Sequence, residues 1–446
     1  MKSNYYKDIL KIATPISLGQ LGNIFANMAD SFMLGKYDTT HLAAASFAFN
    51  IFIPVLLFVM GFSIGTTSLV AQSIANNSTK EKAQIFKDSL ITNMLFGLVA
   101  FVILIGLYFV LPYLGQEQEV VNLSGIYYLQ LTFSILPLAI YSFLRQFIEG
   151  FGLTRPAMYF SFITNALNIF LNYLLIAGNW GFPELGIEGA GWATLISRIL
   201  LPVLMLGYFI YKYHLRKIFL IAGKVKASIN NCKNIIRISF PISVQLTIEV
   251  AAFASAAIFI GQFSKEQLAA HQIAINLASV SYIIISGFGA AATIMVGQFI
   301  GAKKINSIQK LTINFSVINV LFMTVMLLSF IILRNYLPQL YLNKEDYHIA
   351  EIAANLLIIT GIFQLPDGFQ TIMLGILRGM KDVKYPTLIS IGAYVIFGIP
   401  FGYFLAHYYH LEEIGIWIGL CVGLLISATF LYLRVRAVQR KIFIRS

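Results

Sequence analysis

Charge is what this chain has least of. Only 11% of its 446 residues are Asp, Glu, Lys or Arg, against roughly 25% in a soluble domain. The surface needed to stay dissolved is missing, and the mean hydropathy of +0.78 agrees. Cysteine is nearly absent: Cys232 and Cys421, far apart, give neither a disulfide framework nor metal-ligand spacing. The six histidines share no spacing, and His271 reads as a packing residue near a helix start. No Gly-rich phosphate loop of the Walker type is present, so ATP is not the evident energy source. The alternation of apolar and polar residues over about 10-residue strands that marks outer-membrane barrels is missing too. Long apolar runs take its place, and they indicate an integral membrane protein of the helical class.

A helix crossing a hydrocarbon core of about 30 Å needs about 20 mostly apolar residues. Apolar runs between charged or turn-rich breaks give twelve spans, near 9–34, 47–74, 89–111, 122–144, 157–178, 187–211, 235–260, 269–299, 312–333, 349–374, 386–407 and 414–433. The N-terminal run lacks a small-residue cleavage site, so it reads as a retained first helix. Of the 31 Lys and Arg, 26 fall at the termini, in the even-numbered loops or, like Lys11 and Arg237, at the span ends beside them. Lys36, Lys265, Arg334 and Lys344 fall in odd loops, and Arg198 falls inside span 6. The positive-inside rule then puts both termini in the cytoplasm, and the net charge of +12 is topological bias, not a nucleic-acid footprint. Acidic residues such as Glu117, Glu119, Glu184, Glu412 and Glu413 lie in odd, external loops, where they would attract cations.

The chain also repeats itself. Slid by 226 residues without a gap, residues 12–75 give 17 identities, among them Pro15/Pro241, Gly35/Gly261, Asn50/Asn276, Gly61/Gly287 and Gln72/Gln298. Six duplicated spans give two halves of one orientation, related by an axis along the membrane normal. The expected fold class is therefore all-α: twelve transmembrane helices in two six-helix lobes with pseudo-two-fold symmetry. An N-lobe of 1–211 and a C-lobe of 235–446 are joined by a cytoplasmic linker, 212–234, whose lysines and arginines face anionic lipid headgroups.

Three carboxylates stand well inside spans: Asp30, Glu249 and Asp367. A charge near mid-bilayer costs at least about 2.5 kcal/mol. Asp30 lies close enough to its span end to snorkel or cap. Glu249 is near mid-span. Asp367 follows Pro366, which is expected to break the helix, and a broken span beside a carboxylate marks an ion or substrate site; a kink with a locally satisfied Asp is the alternative. In the repeat, Asp30 matches Ala256 and Glu249 matches Asn23, so the halves share a skeleton but not their chemistry. Span 5 places Asn165, Asn168 and Asn172 on one helical face, either as interhelical glue or, with Asp30 and Thr194, as an oxygen-rich site for a hard cation. Arg198 reads as an arginine reaching toward the cytoplasmic interface. A few of the many aromatics could line a drug cavity through cation–π contacts.

These motifs together resemble the multidrug and toxic compound extrusion (MATE) family: Pro15 to Gly35 enclosing Asp30, "GTTSLVAQ" closing span 2, "NALNIFLNYLLIAG" followed by "GIEGAGWATLIS", and "FQLPDGFQTIMLGILRGMKDVKYP" across spans 10 and 11. The last motif, with Glu249, looks most like the NorM branch. The resemblance implies a two-lobed secondary transporter of the cell inner (plasma) membrane that exports organic, often cationic, compounds by antiport with Na+ or H+. It implies no enzymatic activity and no cofactor beyond the coupling ion. The partners would be small-molecule drugs or toxic organic cations and membrane lipids, with no nucleic acid, and the expected state is a monomer. It further implies a C-lobe cation site at Glu249 and Asp367, and an N-lobe site at Asp30 with polar residues of spans 5 and 6. Two departures stand out. Asn172 sits where the DinF-like branch often carries an aspartate, so a two-aspartate proton relay does not transfer. The turn after span 2, "IANNSTKEK", lacks the usual glycine.

Two rival readings make distinct demands. A flippase for lipid-linked saccharides needs basic groups lining its cavity, whereas the ionisable groups inside these spans are mostly acidic. An intramembrane enzyme needs a close aspartate pair or a His-rich metal set, and the sequence offers neither.

Overall fold

The computed structural model describes residues 5–76, 78–342 and 346–444, and those residues form no strand. The chain runs through α1 (Tyr5–Tyr37), α2 (Thr39–Ser73), α3 (Thr79–Tyr108), α4 (Gln118–Gly150), α5 (Arg155–Ile176), α6 (Ile187–Tyr211) and α7 (Tyr213–Lys224). It continues through α8 (Ile229–Ile260), α9 (Lys265–Gly301), α10 (Ile305–Leu333), α11 (Tyr347–Gly379), α12 (Lys384–Ile391), α13 (Ile399–Tyr408) and α14 (Glu412–Ile444). Eleven helical stretches among the described residues are long and apolar enough to cross a membrane, with 384–408 counting as one. Helix α1 is as long as most others at 33 residues, but uncharged polar residues such as Gln20, Asn23 and Asn27 dilute its apolar character. Large side chains face outward along the helices, Phe25 and Ile332 at 66% and 69% exposure, as a hydrocarbon solvent requires.

Local sequence sets the helix starts. Ser78 and Ser264 accept hydrogen bonds from the backbone N–H groups of Glu81 (3.2 Å) and Gln267 (3.1 Å), the Ser-x-x-Glu/Gln capping pattern. Asp38 caps α2 through the N–H groups of Thr40 and His41. Those backbone donors, His41 first, hold its carboxyl below the ordinary carboxylate range. The glycine-free turn after α2 includes Asn77, and the loop after α10 includes Lys344. Both residues lie outside the described ones.

By internal packing the chain divides into two units, residues 18–243 and residues 5–17 with 244–444. The first unit is centred on aromatics: the Phe86 ring packs edge-on against Phe143 at 5.1 Å and Phe147 at 4.9 Å. In the second, Trp417, fully buried, lies against Phe363 and His271, so His271 packs as expected. Small residues bring its helices together: a Cβ placed on Gly375 of α11 would meet the backbone of Gly289 of α9, its carbonyl carbon at 2.9 Å.

Three local expectations are corrected, and the linker is found to carry a helix. Pro366 does not break its span: α11 is continuous from Tyr347 to Gly379. Asn319 of α10 supports the turn that follows, donating to Gly368 O at 3.1 Å and accepting from Phe369 N at 3.2 Å. The expected span 386–407 is interrupted by a π-helix, Gly392–Gly398. The basic linker contains α7, which buries Leu215, Ile218 and Ala222, spaced for one helical face. Arg145 and Arg378, read as loop residues, lie in α4 and α11.

Candidate functional site

In the unit formed by 18–243, a cavity of about 340 Å³ opens among α1, α2, α4, α5 and α6; Asp30, Asn165, Asn168 and Thr194 all line it. Asn172 lies fully buried behind them. Its amide donates to the Asp30 carboxylate and more weakly to Asn168 Oδ1 at 3.4 Å, while its own Oδ1 has no hydrogen-bond partner. Asn165 donates to Asn23 Oδ1 at 3.0 Å. The five residues singled out from spans 1, 5 and 6 are thus gathered at one place. Asn23, the counterpart of Glu249 in the repeat, lines the same cavity.

Arg198 also lines this cavity and does not reach for an interface. Its Nη1 donates to Ser134 Oγ at 2.7 Å and its guanidinium lies 5.3 Å from the centre of the Phe52 ring. Both contacts steer it into the bundle. It makes no ion pair with Asp30, because the only ion pairs among the described residues are Arg145–Glu149 and Arg434–Asp382. Arg145 lines the same cavity, but its charge is taken up by Glu149 at 2.6 Å.

In the other unit, Glu249 of α8 and Asp367 of α11 are both buried, at 4% and 3% exposure. Glu249 accepts from Gln370 Nε2 at 3.2 Å and, at a longer 3.5 Å, from Gln245 Nε2. Gln370 also bonds the Tyr394 hydroxyl at 2.8 Å. The π-helix, a form that often marks functional sites, holds that tyrosine fully buried. Arg378 donates to Gln245 Oε1 at 2.8 Å, so a cation stands one amide away from Glu249. Asp367 uses only its backbone carbonyl in a side-chain hydrogen bond, from Thr371 at 3.0 Å. Gln364, one turn before it and fully buried, has neither amide atom bonded.

Gln245, Gln370, Tyr394 and Arg378 were missed in sequence. Their helical spacing offered a clue: Gln245 precedes Glu249 by four residues, and Gln370 follows Asp367 by three. Each cluster combines an acid that makes no ion pair among the described residues with amide and hydroxyl oxygens, a donor set suited to a proton or a hard cation.

The MatE family model matches this chain twice, at residues 15–174 and 241–404. Both matches begin on the prolines paired by the internal repeat. The chain is similar to a probable multidrug resistance protein NorM of Halalkalibacterium halodurans, with 32% identity covering 98% of this chain and 95% of that protein. A probable multidrug resistance protein NorM of Bacillus anthracis is 30% identical over 98% and 97%. Its fold is similar to that of the eukaryotic MATE transporter AtDTX14, with a TM-score of 0.86 at 18% identity over 99% of this chain and 98% of that one. The same holds for the Vibrio cholerae MATE transporter VcmN in its bent form, with a TM-score of 0.85 at 20% identity over 99% and 98%. The chain therefore belongs to the MatE family and is a multi-pass membrane protein.

Proposed function

We propose that this protein is a secondary multidrug efflux transporter of the plasma membrane, exporting organic, often cationic, compounds in exchange for Na+ or H+. It is not an enzyme on this reading, and both termini face the cytoplasm. The observation that carries the proposal is the state of the buried acids. Asp30, Glu249 and Asp367 are held by amides or left without a side-chain donor, and none is closed off by an ion pair. The NorM names of the relatives support the substrate class. They do not favour a saccharide flippase.

The chemistry follows from desolvation. A carboxylate taken out of water is stabilised by a proton or a bound cation. In the 18–243 unit, Asp30, the unpartnered Asn172 Oδ1, Asn168 and Thr194 supply oxygens for Na+ as a transported ion. In the other unit, Glu249 and Asp367 share one burial zone, where two bare charges repel and one captured cation relieves both. Gln245 and Gln370 orient Glu249, and Arg378 tempers its charge through Gln245. Ion entry favours the conformation that releases drug outward, provided that ion and drug bind the two conformations with unequal affinity. Each inward elementary charge contributes about 2.3 kcal/mol per 100 mV. The two family-matched halves, 15–174 and 241–404, are the bodies that would alternate.

The test is ethidium or norfloxacin efflux from vesicles driven separately by a sodium and a pH gradient, in wild type and in Asp30→Asn, Glu249→Gln and Asp367→Asn. At least one neutralised variant loses gradient-driven export while still binding drug. Normal export by all three would sink the acid-coupled mechanism.

A further inference from the structure

Two crevices lie outside both acid clusters. One, of about 610 Å³, is framed by the start of α3, the residues after α4, the end of α6 and the amphipathic α7; Lys82, Lys212, Lys217 and His214 line it. The other, of about 520 Å³, lies between the start of α10 and the end of α14, with Arg436 and Arg440 in its wall. Among the described residues neither is lined by an acid.

The two crevices correspond to one another. Shifted by the 226 residues of the internal repeat, six of the ten residues lining the second fall on residues lining the first, among them Ile305 on Thr79, Arg440 on His214 and Ile444 on Ile218. Two unrelated surface dents would not share a register. The duplication has kept a hollow at the same place in each half, although most of the side chains inside it have changed.

Among the described residues these basic groups are not neutralised by an acid. Lys82, Lys217 and Arg440 make no ion pair among the described residues. Lys212 makes no ion pair among the described residues, and its ammonium lies 6.0 and 5.7 Å from the rings of Tyr208 and Tyr211. Arg436 donates to the Tyr432 hydroxyl and makes no ion pair. Beside each hollow a large apolar side chain stands free of the bundle, Tyr211 at 80% and Ile444 at 82% exposure. A hollow with several cations, no anion and an apolar rim on a membrane protein matches an amphiphile with an anionic head. Each hollow is walled by segments that carry the lysine and arginine bias of the sequence, which draws such segments toward an anionic leaflet.

We propose that these crevices are a duplicated pair of sites for the phosphate headgroup of an anionic phospholipid. In the first, Lys82, Lys212 and Lys217 hold the phosphate and α7 lies along the headgroup layer; in the second, Arg436 and Arg440 do so. The inference does not depend on which compound is exported.

Native mass spectrometry of the full-length protein in detergent, titrated with dioleoyl phosphatidylglycerol or dioleoyl phosphatidylcholine, tests it. The expected result is two tightly retained phosphatidylglycerol molecules and no retained phosphatidylcholine. A Lys82→Gln/Lys212→Gln/Lys217→Gln variant loses one of the two, with affinity at that site falling about a hundredfold, at about fivefold per basic side chain. Arg436→Gln/Arg440→Gln loses the other. The corresponding Lys→Arg triple variant, which keeps the charge, keeps the lipid. Equal retention of phosphatidylcholine, unchanged phosphatidylglycerol binding in the combined five-site variant, or full displacement of the lipid by excess inorganic phosphate would each overturn the proposal.

Discussion

Glu149 and Asp30 are both acids inside the 18–243 unit, yet they are held in opposite ways. Glu149 is 2% exposed and locked to Arg145, whereas Asp30 meets only the amide of Asn172 among hydrogen-bond donors. The first arrangement is structural and the second is open to a visiting cation. Breaking a buried pair by removing one partner costs about 3–5 kcal/mol, whereas replacing both with apolar groups is often nearly neutral. Arg145→Met is therefore expected to lower the melting temperature and yield in detergent, and Arg145→Met/Glu149→Leu to recover most of the loss. Asn172→Leu removes the donor to Asp30, and a hydrogen bond to a charged group is worth about 1.5–3 kcal/mol. The ion concentration needed for half-maximal efflux should then shift by roughly tenfold or more, with a loss of thermal stability smaller than that of Arg145→Met. An efflux titration against Na+ and pH shows whether it does. Sequence made the asparagine stripe legible because helical spacing fixes a shared face. It could not show that Arg198 turns toward Ser134 and Phe52, because depth along a helix does not specify which neighbour a side chain meets.

At the scale of helices, packing is decided by residues that have almost no side chain. Gly375 sits where a Cβ would collide with the backbone of Gly289, whereas Gly207 has open space around it. Gly375→Val should destabilise the α9–α11 contact by about 1–3 kcal/mol or more, and Gly207→Val should leave thermal unfolding unchanged; a melting curve in detergent separates the two. The linker is anchored as well as joined. Asp88 of α3, fully buried, accepts from Ser228 N at 2.9 Å and Asn231 Nδ2 at 2.8 Å, and Lys87 donates to Val225 O at 2.7 Å. Asp88→Ala leaves buried donors unmatched at about 1–3 kcal/mol each, so limited proteolysis should cut within 225–231 faster than in wild type. The positions of the helices were readable from apolar runs and Ser-x-x-Glu/Gln starts. The π-helix at 392–398 and the continuity of α11 through Pro366 were not, because a neighbouring helix supports each: Gln370 holds Tyr394, and Asn319 bridges the turn after the proline.

For the whole molecule, the distribution of lysine and arginine is a statement about orientation that labelling can check. In a chain lacking both native cysteines, Gln116→Cys should react with a membrane-impermeant thiol reagent in intact cells, and Lys80→Cys should react only after permeabilisation. The opposite pattern would reverse the topology. The same scale limits what similarity conveys: solved relatives share this fold at a TM-score of 0.86 with 18% identity, a level at which the backbone path survives while the cavity side chains are free to differ. Transport chemistry therefore has to be argued from this chain's own acids and amides.

Hydropathy, charge bias and a 226-residue repeat are properties of the chain read in order, so membrane residence, helix placement and duplication could be stated before any coordinate was known. They follow from the energetics of single segments in lipid. The pairing of Arg378 with Gln245, of Gln370 with Glu249 and of Asn172 with Asp30 joins residues more than a hundred positions apart. Folding alone settles such pairings, because a buried polar group takes whichever partner packing brings within reach.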